Sequence, residues 1–168
     1  ISRLNATIND IHKHISQYRF DLMSQAIYEF IWNEYCDWYV ELAKSSLNAS
    51  GQDSTVSDER KAQIRYVLLF VLEMAMKMTH PIMPYLTEEI WQTITPLLGK
   101  TGKSIMLSTY PKYDDSKINE QAESDMAWLQ SLIGAGRNIR GEMKLGNAVR
   151  RPVLIQGASD EQKASLVR

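Results

Sequence analysis

Leu4, Ile8, Ile11, Ile15, Tyr18 and Leu22 recur at steps of three and four, which places apolar side chains on one face of an α-helix. The pattern predicts a first helix from about residue 4 to residue 18. Asp21 is a candidate cap for a second helix that runs to about Leu47. On that helix Ile27, Ile31, Trp38 and Leu42 form one stripe, and Tyr28, Trp32, Tyr35 and Tyr39 form an adjoining one. Two stripes cover well over half the circumference, so the helix must be buried on more than one side or give one stripe to a partner. The polar run "NASGQDSTVSD" (48–58) reads as a mobile loop. Ser57 or Asp58 then starts a third helix carrying Ile64, Val67, Leu68, Val71, Leu72, Ala75 and Met78. It is predicted to end at "THP", because proline disfavours helical geometry in the residue before it.

"PIMPYL" (81–86) reads as an extended connector, and Thr87 as the N-cap of a fourth helix with Glu88 and Glu89 in its first turn. That helix bears Ile90, Trp91 and Ile94 and stops near Pro96 to Gly99. The period then changes. "SIMLSTYP" (104–111) suggests a short strand, "KYDDSKIN" (112–119) a loop, and "RRPVLIQG" (150–157) a second strand. Between them, a fifth helix from about Asn119 to Lys144 keeps Met126, Leu129, Ile133, Gly136, Arg140 and Met143 on one face. The tail "ASDEQKASLVR" (158–168) begins another helical pattern. The expected fold is mainly α: an antiparallel four-helix bundle within residues 1–98, followed by a small α/β appendage over 99–168.

Composition narrows what such a fold could do. With 168 residues and 44% apolar content, the chain can fill a core of ordinary size. Its net charge is −1, so no global basic field exists and any nucleic-acid contact must rest on local clusters. Cys36 is the sole cysteine, which excludes an intrachain disulfide and a thiol-based metal site. His12, His14 and His80 form no helical pair with a second ligand type, so no metal is expected. Apolar runs fall far short of the ~18 residues a membrane span needs. A cytoplasmic, monomeric protein without membrane association is expected. The first residue, Ile1, leads straight into a helical pattern, which suggests a piece of a longer chain.

Enzymatic motifs are missing. There is no G-x-S-x-G, no phosphate-cradling glycine loop and no His-Glu metal helix. Asp114 and Asp115 are adjacent but lie in a predicted loop without a basic partner, so no catalytic residue and no cofactor are assigned to these residues. The aromatic stripe is best explained as core for Tyr28, Trp32 and Trp38. One or two rings could instead stack on unpaired bases, a contact that contributes roughly 1–3 kcal/mol per base. Asn33, on the polar side, offers the donor and acceptor that a Watson–Crick edge needs. Arg137, Arg140 and Lys144 fall at i, i+3 and i+7 on the fifth helix, with Arg150 and Arg151 beyond. A solvated helix face explains such spacing, yet the density of cations makes the group the best candidate for phosphate contact. Arg140 also sits on the apolar face, where it could be structural. Arg19, at the turn between the first two helices, is a candidate for either role. "THPIMPYLTEEIW" (79–91) has a structural explanation in its two prolines, its cap and Trp91, and is assigned no site.

Three tracts carry a resemblance: "YRFDLMSQAIYEFIWNEYCDWYVELAK" (18–44), "THPIMPYLTEEIW" (79–91) and "RNIRGEM" (137–143). In that order and at these separations they resemble the bacterial valyl-tRNA synthetases, over about Leu4 to Gly157. The tract H-P-x-x-P-Y-L-T-E-E-x-W is shared across the valine, isoleucine and leucine group, whereas W-N-x-Y-C-D-W-Y points to the valine enzymes. The resemblance implies an anticodon-binding domain that grips the anticodon stem-loop of tRNA-Val and partners the catalytic domain of the same chain. It also implies that the parent enzyme joins valine to tRNA with ATP held in that catalytic domain, and edits mischarged threonine in another. The HIGH-type and KMSKS-type motifs and the C-terminal coiled coil of such enzymes are absent from these residues. Valine codons begin GU, so the anticodon ends in A then C. From the residues and the resemblance together, those bases are expected to enter a pocket between the first two helices, with Tyr35 stacking on one and Asn33 or Arg19 bonding an edge. The Arg137, Arg140, Lys144 face then holds the backbone. Tyr35→Ala is expected to weaken anticodon discrimination and Lys144→Ala to weaken all tRNAs alike. The alternatives are the equivalent domain of an isoleucyl or leucyl enzyme, and a helical protein-interaction bundle with no RNA role.

Overall fold

The helical period at the start of the chain folds as α1 (Ser2–Ser16), which buries Leu4, Ile8 and Ile11. The structure is a computed structural model that describes residues 1–48, 56–146, 149, 152–153 and 155–157. It divides into two compact units, Ile1–Ile118 and Asn119–Arg168. In the first unit α1 ends at Gln17, and α2 (Phe20–Glu29) starts with Arg19 at its cap position. Asp21 therefore lies inside the first turn rather than at the cap, where its charge still complements the helix dipole.

Beyond α2 the helix continues without a break through a π-helical stretch, Phe30–Val40, into α3 (Glu41–Leu47). The sequence explains the change of winding. Met23, Ile27 and Phe30 are buried at steps of four and three. An α-helix continued from Phe30 would next turn Asn33, Glu34, Asp37 and Glu41 inward, all polar or charged. The i→i+5 bonding of a π-helix inserts a step of five instead, so Tyr35 and then Ala43 reach the core. This shift corrects the two stripes drawn at constant α period. Tyr28 and Trp32 are exposed, Tyr35 is buried, and Trp38 and Tyr39 are half-buried.

Ser57 caps α4 (Asp58–Thr79) by accepting a hydrogen bond from the Arg60 amide at 3.2 Å, and the helix ends just before His80 and Pro81 as expected. The extended connector predicted after it is absent. Residues 81–83 form a turn and α5 (Pro84–Ile94) begins at Pro84, whose fixed φ and missing N–H suit a first helical position. Thr87 is thus not the cap but a buried residue one turn in. Its hydroxyl donates to the Met83 carbonyl at 2.8 Å and accepts from His80 Nδ1 at 2.7 Å. That pair ties the two sides of the turn together. A 3-10 turn at Pro96–Leu98 and a left-handed Gly99 (φ 68°) close α5.

No strand forms at 104–111. Ile105–Leu107 is a single 3-10 turn, with Ile105 inserted into the core. No neighbouring edge offers ladder bonds to this segment, and side chains satisfy its backbone instead. The Glu88 carboxylate accepts from Ser104 Oγ at 2.8 Å and from the Ile105 amide at 3.0 Å. Farther on, Tyr110 donates to the Met78 carbonyl at 3.2 Å and His12 Nε2 donates to the Pro111 carbonyl at 2.7 Å. The Asn5 side-chain amide pairs with both backbone groups of Asp114. Among the described residues one carboxylate is fully interior: Glu73, held by Lys77 at 2.9 Å and by Lys100 beyond α5.

The helix order fixes where the turns lie. α1 and α2 are joined by three residues and run antiparallel, and Tyr35 on the long second helix donates to the Leu68 carbonyl of α4 at 3.1 Å. His12 near the end of α1 and Met78 near the end of α4 both meet Tyr110, so the α1–α2 and α4–α5 turns share one end of the unit.

The second unit contains α6 (Glu120–Glu142), capped by Asn119 Oδ1, which accepts from the Ala122 amide at 2.9 Å. Lys144 follows in a left-handed conformation (φ 51°). The described residues of the strand expected at 150–157 carry no ladder. Arg150, Arg151, the expected tail helix and most of the loop at 48–58 lie outside the described residues. The fold is mainly α, a helical bundle, and among the described residues no helix is long and apolar enough to cross a membrane.

Candidate nucleic-acid interface

The α1–α2 turn is built so that its side chains face outward. Tyr18 adopts a left-handed conformation (φ 55°), which turns its own amide back to the Ile15 carbonyl at 3.0 Å and the Arg19 amide to His14 at 2.9 Å. A tyrosine in this region is uncommon and carries a steric cost of about 1–2 kcal/mol. The outcome is a ring that is 82% exposed, in edge-to-face contact with the half-exposed Phe20 at 6.5 Å. Arg19 stands between them. Its Nε and Nη2 donate to the two carboxylate oxygens of Asp21 at 2.9 and 2.6 Å. The guanidinium's hydrogen bond holds the Asp21 carboxyl down to about 2, so the carboxylate stays charged at ordinary pH. At the same end, the α4–α5 turn leaves Ile82, Met83 and Leu86 largely exposed and Tyr85 91% exposed. Two rings, a planar cation and a second apolar turn thus crown one end of the first unit.

The other residues singled out in the sequence are placed differently. Tyr35 is 9% exposed and its hydroxyl is committed to Leu68, so its ring is core and offers no face to a base. Burial pushes that hydroxyl up to about 12. Asn33 is exposed on the π-helical stretch, beside the exposed Trp32. In the second unit Arg137 and Lys144 are exposed. Arg140 is structural: it donates to the Gly146 carbonyl at 2.7 Å and to the Val149 carbonyl at 3.0 Å, bracing the turn that follows α6. Sequence reasoning passed over Tyr18, Phe20 and Tyr85. Their signal was position, since each ring lies within two residues of a predicted helix end, although Tyr18 also closes the apolar stripe of the first helix.

Tyr28 and Trp32 form a second exposed aromatic feature, stacked nearly parallel at 6.3 Å on the outer face of the long helix.

Known proteins give these features a context. Residues 1–155 match the family described as the anticodon-binding domain of tRNA ligase. The chain is 66% identical to the valine–tRNA ligase of Psychrobacter arcticus, an alignment that covers 100% of this chain and 17% of the relative. The valine–tRNA ligase of Acinetobacter baylyi is 56% identical over 100% of this chain and 17% of its own length. That of Coxiella burnetii is 41% identical over 99% and 18%. The chain therefore spans less than a fifth of the length of these curated relatives. With a match over nearly all its residues, this chain belongs to the family of tRNA-ligase anticodon-binding domains.

Proposed function

We propose that this chain grips the anticodon stem-loop of tRNA-Val on behalf of a longer cytoplasmic, monomeric enzyme. That enzyme joins valine to its tRNA, with ATP bound to a catalytic domain outside these residues. The observation that carries the reading is the exposed end formed by Tyr18, Arg19, Phe20, Met83 and Tyr85. Anticodon bases are unpaired, and each presents a π-face that an outward ring can cover. Phe20 and Tyr18 are the stacking surfaces, and Tyr85 extends the platform from the second turn. Arg19 is already fixed in a plane by Asp21, so its remaining N–H donors are aimed before RNA arrives. Stacking orients the two bases that specify valine, and Arg19 reads an edge or a phosphate between them. In the second unit Lys144 and Arg137 supply phosphate contact, while Arg140 keeps the turn bearing Lys144 in shape. Asn33 and Tyr35 have no part in this interface.

The experiment is binding of the chain to a valine anticodon stem-loop, beside one with its A and C replaced. Phe20→Ala is expected to weaken the native loop by about 1–3 kcal/mol and to erase most of the preference. Tyr35→Phe should leave both affinities unchanged. If Phe20→Ala and Tyr85→Ala both bind like the parent chain, this end is not the interface.

A further inference from the structure

The stacked pair Tyr28 and Trp32 lies on the same helix as Phe20, yet its surroundings are of opposite character. From Phe20 to Ala43 there is no lysine or arginine, while Asp21, Glu29, Glu34, Asp37 and Glu41 all fall within it. Asp21 is neutralised by Arg19, Glu34 by Arg3 at 2.7 Å and Glu41 by Lys44. Among the described residues Glu29 and Asp37 form no ion pair. Glu29 adjoins Tyr28 and accepts only the neutral amide of Gln25 at 2.8 Å. Asp37 is exposed five residues beyond Trp32, one turn on in the π-helical winding. Tyr28 and Glu29 belong to α2, and the π stretch continues from them with Trp32 and Asp37 both exposed.

An exposed pair of parallel rings on a helix that carries acids and no lysine or arginine from Phe20 to Ala43 repels phosphate and attracts cations. Aromatic faces bind a guanidinium best, and flanking carboxylates take its N–H donors in pairs. We propose that this strip docks an arginine-bearing polypeptide segment supplied by the part of the longer protein outside these residues. One arginine lies over the Trp32 ring and pairs with Glu29 or Asp37 of the same helix. The length of the relatives supports that source, since more than four-fifths of each lies beyond the aligned region. The strip is thus a protein contact separate from the proposed RNA-binding end; it rests on the reading that this chain is part of a longer valine–tRNA ligase, not on which residues read the anticodon.

Hydroxyl-radical footprinting of aromatic side chains tests this directly. In the isolated chain Tyr28 and Trp32 should label readily. In the full-length valine–tRNA ligase without tRNA they should be protected several-fold, while Tyr18 labels equally in both. A hexa-arginine peptide added to the isolated chain should protect the same two rings, and Glu29→Gln with Asp37→Asn should abolish that protection. Hexa-glutamate is the matched control. Equal labelling of Tyr28 and Trp32 in the short and long proteins would overturn the proposal. So would protection that arises only when tRNA is added, because the strip would then be an RNA surface. Both rings are exposed, so Trp32→Ala should leave the chain folded and serve as a check that the signal comes from this site.

Discussion

Tyr35 and Trp32 stand three residues apart and have exchanged the roles their sequence context suggests. Either ring is large enough for a core, and periodicity at α spacing groups both on one stripe. Only the π-helical winding separates them; its signal is the polar run that α winding would bury at Asn33, Glu34, Asp37 and Glu41, not the stripe of rings. Tyr35→Phe should remove the bond to the Leu68 carbonyl and lower stability by about 0.5–1.5 kcal/mol in urea unfolding. The buried hydroxyl also gives a pH signature. Its pKa is raised from 10 to about 12 by burial, so the unfolded state ionises first. The stabilisation is intact below pH 10 and is lost as pH rises toward about 12. Tyr110, whose hydroxyl bonds Met78, behaves likewise. The alkaline fall in melting temperature should therefore become shallower in Tyr35→Phe, measured alongside phenolate absorbance. Arg140 illustrates another limit of sequence reading: spacing gives a cation's face but not the carbonyls within its reach.

At the scale of elements, most helices were legible because their ends are marked by chemistry the sequence displays. Ser57 and Asn119 cap α4 and α6 where expected, and His80–Pro81 ends α4. The start of α5 was displaced because Thr87 and Pro84 are both valid start signals; a buried bond to His80 decides in favour of proline. The strand expected at 104–111 failed for a different reason. Alternation of apolar residues cannot reveal whether a ladder partner exists, and here α5 supplies the hydrogen bonds through Glu88. This segment gives a sharp test of packing. A Cβ added at Gly102 would lie 2.6 Å from Cη2 of the buried Trp91. Gly102→Ala should therefore destabilise the chain by about 1–3 kcal/mol through overpacking, seen as a lower urea midpoint. Glu73 links α4 to the loop after α5. Burial alone would raise its pKa, but Lys100 and Lys77 outweigh that and hold it below the usual value of 4.5. Its contribution is present above that value and lost as pH falls through the lowered one. Glu73→Gln should cost about 1.5–3 kcal/mol at neutral pH. The same substitution should flatten the acid limb of a stability–pH curve.

For the molecule as a whole, the proposed function assigns affinity and selectivity to different residues. A net charge of −1 provides no long-range attraction for RNA, and the outer strip of the long helix is acidic. Binding must therefore rest on a few cations, and each phosphate contact releases a countable number of ions. The family was legible from three tracts, but the rings of the proposed interface were not, because resemblance identifies a domain without saying which of its aromatic residues face outward. Salt titration separates the two kinds of residue. Lys144→Ala should weaken the native and the replaced stem-loops equally and reduce the slope of log affinity against log salt by about 1. Phe20→Ala should leave that slope unchanged and remove the difference between the loops, since stacking involves no ion release. Asp21→Asn provides the third arm. It frees Arg19 from its internal partner, so affinity should rise at low salt and the slope should steepen by about 1. If Asp21→Asn instead weakens binding with the slope unaltered, the carboxylate acts by holding the guanidinium in plane for a base edge, and Arg19 does not touch phosphate.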